Sequence, residues 1–152
     1  MLASSTERLL LTLWVGSLWA IGYIAVPVAF ASLADITIAG AYAGKLFSAI
    51  NLLGLGCGSV LLITMLFRYG RQSLSNWRLW ILVVMVMLTL ILNFYLQPEL
   101  AAIKHLAWQQ DTELLERFSL LHTVSKNLYM VISLLGLAMV ITTDKLLNQS
   151  RA

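Results

Sequence analysis

Four stretches of the chain carry no charged residue: 26 residues between Arg8 and Asp35, 22 between Lys45 and Arg68, 20 between Arg78 and Glu99, and 17 between Lys126 and Asp144. A helix rises ~1.5 Å per residue and the hydrocarbon core of a bilayer is ~30 Å thick, so about 20 apolar residues cross it. The stretches predict four membrane-spanning helices, over roughly 9–33, 46–67, 79–97 and 123–143. Barrel strands would alternate polar and apolar residues, and the run from Trp80 to Leu92 does not. The expected fold is an all-α integral membrane four-helix bundle, one transmembrane domain over residues 1–152.

Composition agrees. Hydrophobic residues make up 60% of the 152 and charged residues 11%, where a soluble domain carries about a quarter charged. Mean hydropathy is +0.85. These figures exclude a disordered tail, a nucleic-acid-binding domain and an ordinary soluble enzyme, and no catalytic motif argues for an enzyme of another kind. The lone cysteine, Cys57, cannot form an intramolecular disulfide. The first apolar stretch exceeds the ~7–15 residues of a signal-peptide core and contains Pro27, so it reads as a span. The sequence presents no evident internal repeat.

Loop charges set the expected topology. The segment from Arg68 to Arg78 holds three arginines and no acid, and four spans place it on the same side as both termini. The opposite side carries Asp35, Glu99, Asp111, Glu113 and Glu116 against Lys45, Lys104 and Arg117. The positive-inside rule then puts both termini in the cytoplasm, in an inner (cytoplasmic) membrane. Trp77 and Trp80 suit an interfacial aromatic belt. The helical pattern continues past Gln97 through Pro98, which should bend it. Asp111 is the expected N-cap of the last helix, with Glu113 and Arg117 as an i,i+4 pair. Helices three and four should therefore extend into an outer hairpin turning near Gln110.

Gly54 and Gly58 form a GxxxG pair, and Gly40 and Gly44 another. Such spacing permits close helix packing, either within the bundle or in a homo-oligomer or with a membrane-protein partner.

Polar residues concentrate in the outer half of the spans: Tyr23, Asn51, Asn93, Gln97, His122, Lys126 and Tyr129. Polar groups at membrane depth raise a functional-site hypothesis. His122, Lys126 and Tyr129 follow i, i+4, i+7 on one helix face, taken here as the inner one. Each has a plainer reading: Lys126 can snorkel, the asparagines can bond across helices, and His105 falls on the solvated hairpin. Placed on a hairpin, His105 lies ~9 Å further out than His122, too far for both to hold one metal. Met85 and Met87 cannot share a helix face, which makes the methionines core filler. The leading expectation is a polar site that binds or passes a metal ion or small solute, with His122 as ligand and Asn51, Asn93, Gln97, Lys126, Tyr129 and Tyr23 lining it. The competing expectations are a haem-binding redox protein and an assembly subunit of a membrane complex. Haem and copper stay open as cofactors, and the bilayer is the expected partner.

Three segments resemble the transmembrane protein 205-like family, a set of small four-helix membrane proteins. Trp14-Val-Gly16-Ser-Leu-Trp19 with Gly22-Tyr23 and Pro27-Val-Ala-Phe30 is similar to its first helix. Ala39-Gly40 to Gly44-Lys-Leu-Phe47 resembles its second-helix entry, and Leu121-His122-Thr-Val-Ser125 its last-helix signature. Thr123 and Tyr129 stand where that family often has glycine and asparagine. The resemblance implies a polytopic bundle linked to heavy-metal or drug tolerance. More distantly, the chain is similar in architecture to copper-resistance D domains and to haem-binding membrane protoporphyrinogen oxidases, in which histidines sit on helices. Only His122 could play such a part here.

Overall fold

A computed structural model describes the backbone of residues 2–104 and 111–149, and most side chains within 5–142. The described residues form four long helices, in sequence order and alternating in direction, with helices one, two, three and four arranged round a square. Helix one packs on helices two and four, and helix three packs on the same two.

Helix one runs as an α-helix over Leu2–Ala20, a wider π-helical turn over Ile21–Ala25, and an α-helix over Val26–Ser32. Helix two is continuous over Ile36–Tyr69. Helix three repeats the broken pattern: Trp77–Ile91, a π turn over Leu92–Leu96, then Gln97–Lys104. Helix four is continuous over Thr112–Gln149. All four contain a stretch long and apolar enough to cross a membrane. Each is longer than its charge-free stretch, because a charge near a helix end can reach the interface.

Local signals set the boundaries. The Asp35 carboxylate accepts from the Thr37 amide and starts helix two. Asp111 does the same for helix four, accepting from the amides of Glu113 and Leu114 as its side chain promised. Asn76 caps helix three through the Arg78 amide. Helix two stops at Gly70, whose φ of +50° suits a residue without a Cβ.

The two breaks have one cause. Pro27 and Pro98 lack an N–H, and the ring of each crowds the carbonyl four residues back. The preceding turn widens instead: the Val26 amide bonds the Ile21 carbonyl and the Gln97 amide bonds the Leu92 carbonyl, five residues back. The bend expected at Pro98 takes this form, and helix one has its counterpart.

The core lies mostly on the terminal side of these breaks. Leu11, Trp14 and Leu18 of helix one meet Leu61 and Met65 of helix two, Leu82 and Met85 of helix three, and Ile132 and Met139 of helix four. Met85 is buried and Met87 exposed, so the two methionines do lie on different faces. Small residues make the approach possible. A Cβ on Gly54 would overlap the Trp14 indole, and one on Gly58 would lie 2.6 Å from Val86 Cγ2. This GxxxG pair is thus occupied by helices of its own chain. Gly44 has open space beside it. Interior hydroxyls bond back to their own helices: Thr89 to the Met85 carbonyl, Ser133 to that of Tyr129.

Candidate functional site at the hairpin end

The polar residues picked out by sequence differ in burial. Asn51 is buried and Asn93 and Gln97 are half-buried, while Lys126 and His122 are exposed. Among the described residues, no hydrogen bond joins Tyr23, Asn51, Asn93, Gln97, Lys126 and Tyr129 to one another. The i, i+4, i+7 line on helix four spans a boundary rather than an inner face. Tyr129 is buried, and one and two turns earlier Lys126 and His122 emerge from the bundle. His122 on an inner face is therefore corrected. His105 lies outside the described residues.

Tyr129 instead organises an aromatic joint. Its hydroxyl donates to the Leu18 carbonyl at 2.6 Å, and its ring fills the space a Cβ on Gly22 would take. Phe47 meets that ring edge-on at 5.1 Å, and Tyr23 lies 6.3 Å away and 4.7 Å from Trp19. Leu18 closes the last full α-turn before the first π turn, so Tyr129 braces helix one where its ladder changes step.

His122 has a different setting. Its ring stacks on Phe118, one turn earlier, at 5.8 Å. The Lys104 ammonium lies 6.0 Å from the same Phe118 ring and donates to the Gly40 carbonyl at 3.1 Å. Lys104 and Lys126 are both within electrostatic reach of His122. Three acids at this end have partners of their own. Glu99 accepts from Arg117 at 2.6 Å across the hairpin, and Asp35 and Asp111 cap helices. The expected Glu113–Arg117 pair is thus replaced by Glu99–Arg117, because the antiparallel neighbour brings Glu99 to the same guanidinium. On the bundle side of His122, the Ser125 hydroxyl is buried without a hydrogen-bond partner.

The described residues around His122 do not make a metal or haem-iron site. Among the described residues no three His, Cys, Asp or Glu side chains gather. Among the described residues, His122 has two ammonium groups within electrostatic reach, and these repel a cation. Sequence reasoning missed Phe118 and Lys104, since nothing local in their spacing joins helix three to helix four.

The fold and this site define a multi-pass α-helical membrane bundle with a cationic, aromatic-backed patch at one end. The chain belongs to the family described as Domain of unknown function (DUF4149), whose model matches residues 9–109. The match covers helices one to three and stops before the helix that carries His122 and Tyr129. No curated protein matches the chain, and no solved structure does.

Proposed function

We propose that this membrane bundle binds an anionic, phosphate-bearing group at its hairpin end, between Lys104, His122 and Lys126. The observation that carries the reading is the charge acting on His122: Lys104 and Lys126 are both within reach of it, and Glu99 of the neighbouring helix is paired with Arg117. Lys104 and Lys126 supply charge, and His122 on its Phe118 platform supplies a directional donor. The resemblance to the transmembrane protein 205-like family belongs to this reading for the drug tolerance it implies, not for the heavy-metal tolerance. The orientation belongs to it too. Arg68, Arg71 and Arg78 favour a cytoplasmic terminal end, which turns the hairpin end outward in an inner membrane.

Native mass spectrometry of the detergent-released protein tests this. Phosphatidylglycerol is expected to stay bound where phosphatidylcholine does not, and Lys104→Gln with Lys126→Gln should remove the difference. Inorganic phosphate added to the lipid-stripped protein separates the sources. Phosphate binding marks a soluble anion, and phosphatidylglycerol binding alone marks a headgroup. Anionic adducts that persist unchanged in the double variant would overturn the site. So would stoichiometric zinc or copper that His122→Ala removes.

A further inference from the structure

The structure overturns the expectation of no internal repeat: a shift of 71 residues carries Pro27 onto Pro98, and with it the π turn Ile21–Ala25 onto Leu92–Leu96, residue for residue. The same shift, with no gap, carries Phe47-Ser48 of helix two onto Phe118-Ser119 of helix four. It also carries core onto core. Leu11, Trp14, Leu18 and Ala29 of helix one map to Leu82, Met85, Thr89 and Leu100 of helix three, and all eight are buried. Leu61 and Ile132 correspond in the same way.

Trp14 and its counterpart Met85 also each meet a glycine of the helix after their own: Trp14 meets Gly54 and Gly58, and Met85 meets Gly136, which is not itself the counterpart of either glycine. The strongest sign is an ion pair. Arg78 donates to Glu7 at 3.0 Å, and 7 and 78 are themselves counterparts. Two equivalent residues can touch each other only where they sit on the symmetry axis. The square order of helices requires the same axis, since a half-turn about it exchanges one with three and two with four.

We propose that the chain is a tandemly duplicated helical hairpin, and that its two proline-broken helices are a matched pair of hinges on which the hairpin end tilts against the terminal end. Interrupted spans at corresponding positions of two repeats are where membrane proteins place moving parts and binding sites. π turns and prolines are where helices bend. The bulk of the core, with the Glu7–Arg78 pair, lies on the terminal side of both hinges. Beyond them the buried residues are few: Ala29, Leu100 and Ile103 on the broken helices, with Ala39 and Ala43 of helix two. The terminal end is the anchored body, and the hairpin end, with the patch around His122, is the part that moves.

Paired spin labels in lipid nanodiscs test this on the full chain in a Cys57→Ala background. One pair replaces the counterparts Ala31 and Ala102, exposed beyond the hinges. The other replaces the counterparts Leu13 and Val84, exposed before them. The hairpin-end pair is expected to give a distance distribution about twice as wide as the terminal pair. Pro27→Ala and Pro98→Ala should each remove a similar part of the excess width, and the double variant most of it. Equal widths at the two ends would overturn the hinges. So would an excess width that neither proline change reduces, a comparison the single variants allow even if the double variant does not fold. A response to one proline alone would overturn the matched pair.

Discussion

Trp14 is fully buried, and its indole rests on the backbone of helix two at Gly54. It has no room to retreat among Leu11, Leu18 and Met85, so a methyl group at Gly54 must move an element rather than a side-chain tip. Gly54→Ala is expected to destabilise the bundle by about 1–3 kcal/mol, the range for overpacked cores. Gly16 makes the opposite case. A Cβ there meets nothing within 4 Å, so Gly16→Ala should be neutral or gain up to about 1 kcal/mol in helix propensity. Unfolding by sodium dodecyl sulfate in mixed micelles ranks the two, and equal losses would show that the Trp14 contact is not tight. Tyr129→Phe keeps the ring beside Gly22 and removes only the bond to the Leu18 carbonyl. Interhelical bonds in membranes average about 0.6 kcal/mol and reach about 1.7. The same titration should show a loss in that range, with a much larger one for Tyr129→Ala, which also leaves a cavity.

Between helices, two ion pairs of similar geometry should differ in weight. Arg78 and Glu7 hold the terminal ends of helices three and one together, with side chains 3% and 24% exposed; Arg117 and Glu99 are 59% and 36% exposed. Glu7→Gln withdraws the carboxylate from a buried guanidinium and is expected to cost about 2 kcal/mol or more. Glu99→Gln should stay within about 1 kcal/mol, and a reversal of that order in the micelle titration would contradict the burial assigned to Arg78. Much of this scale was legible beforehand. Charge-free lengths located the four helices, and Asp111 announced a cap because its carboxylate acts on amides two and three residues away. The π turns were not legible, since Ile21–Ala25 and Leu92–Leu96 are ordinary apolar helix by composition and only the prolines hint at a break. The Glu99–Arg117 pair was hidden for another reason. Glu113 has the right spacing within one helix, and only the antiparallel neighbour supplies the better partner.

For the whole molecule, the surface itself argues for lipid. The accessible area is 9693 Å², against about 7,700 Å² for a compact soluble chain of this mass, and large apolar side chains such as Leu9, Ile36 and Phe67 are exposed. That also explains why the rotation of helix four was not legible in the sequence. In a soluble helix, apolar residues mark the inside, and His122 would be placed by its neighbours. Here Leu120, Val124 and Met130 are exposed, because lipid tails accept them as readily as a core does. Hydrophobicity therefore gives the span but not its rotation, and the rotation decides whether His122 faces in or out. The exposure pattern along a span can be measured directly. On helix two, Val60, Ile63 and Phe67 are exposed, and Leu61 and Met65 are buried. Single nitroxide labels at these five positions in a bilayer should show high oxygen accessibility at the first three and low accessibility at the other two, with helical periodicity. A flat profile would mean that this face is covered by another protein surface, and an inverted one that the helix is rotated about its axis. The expected profile would fix helix two's face toward lipid and, through the Trp14 contact at Gly54, the register of the whole square.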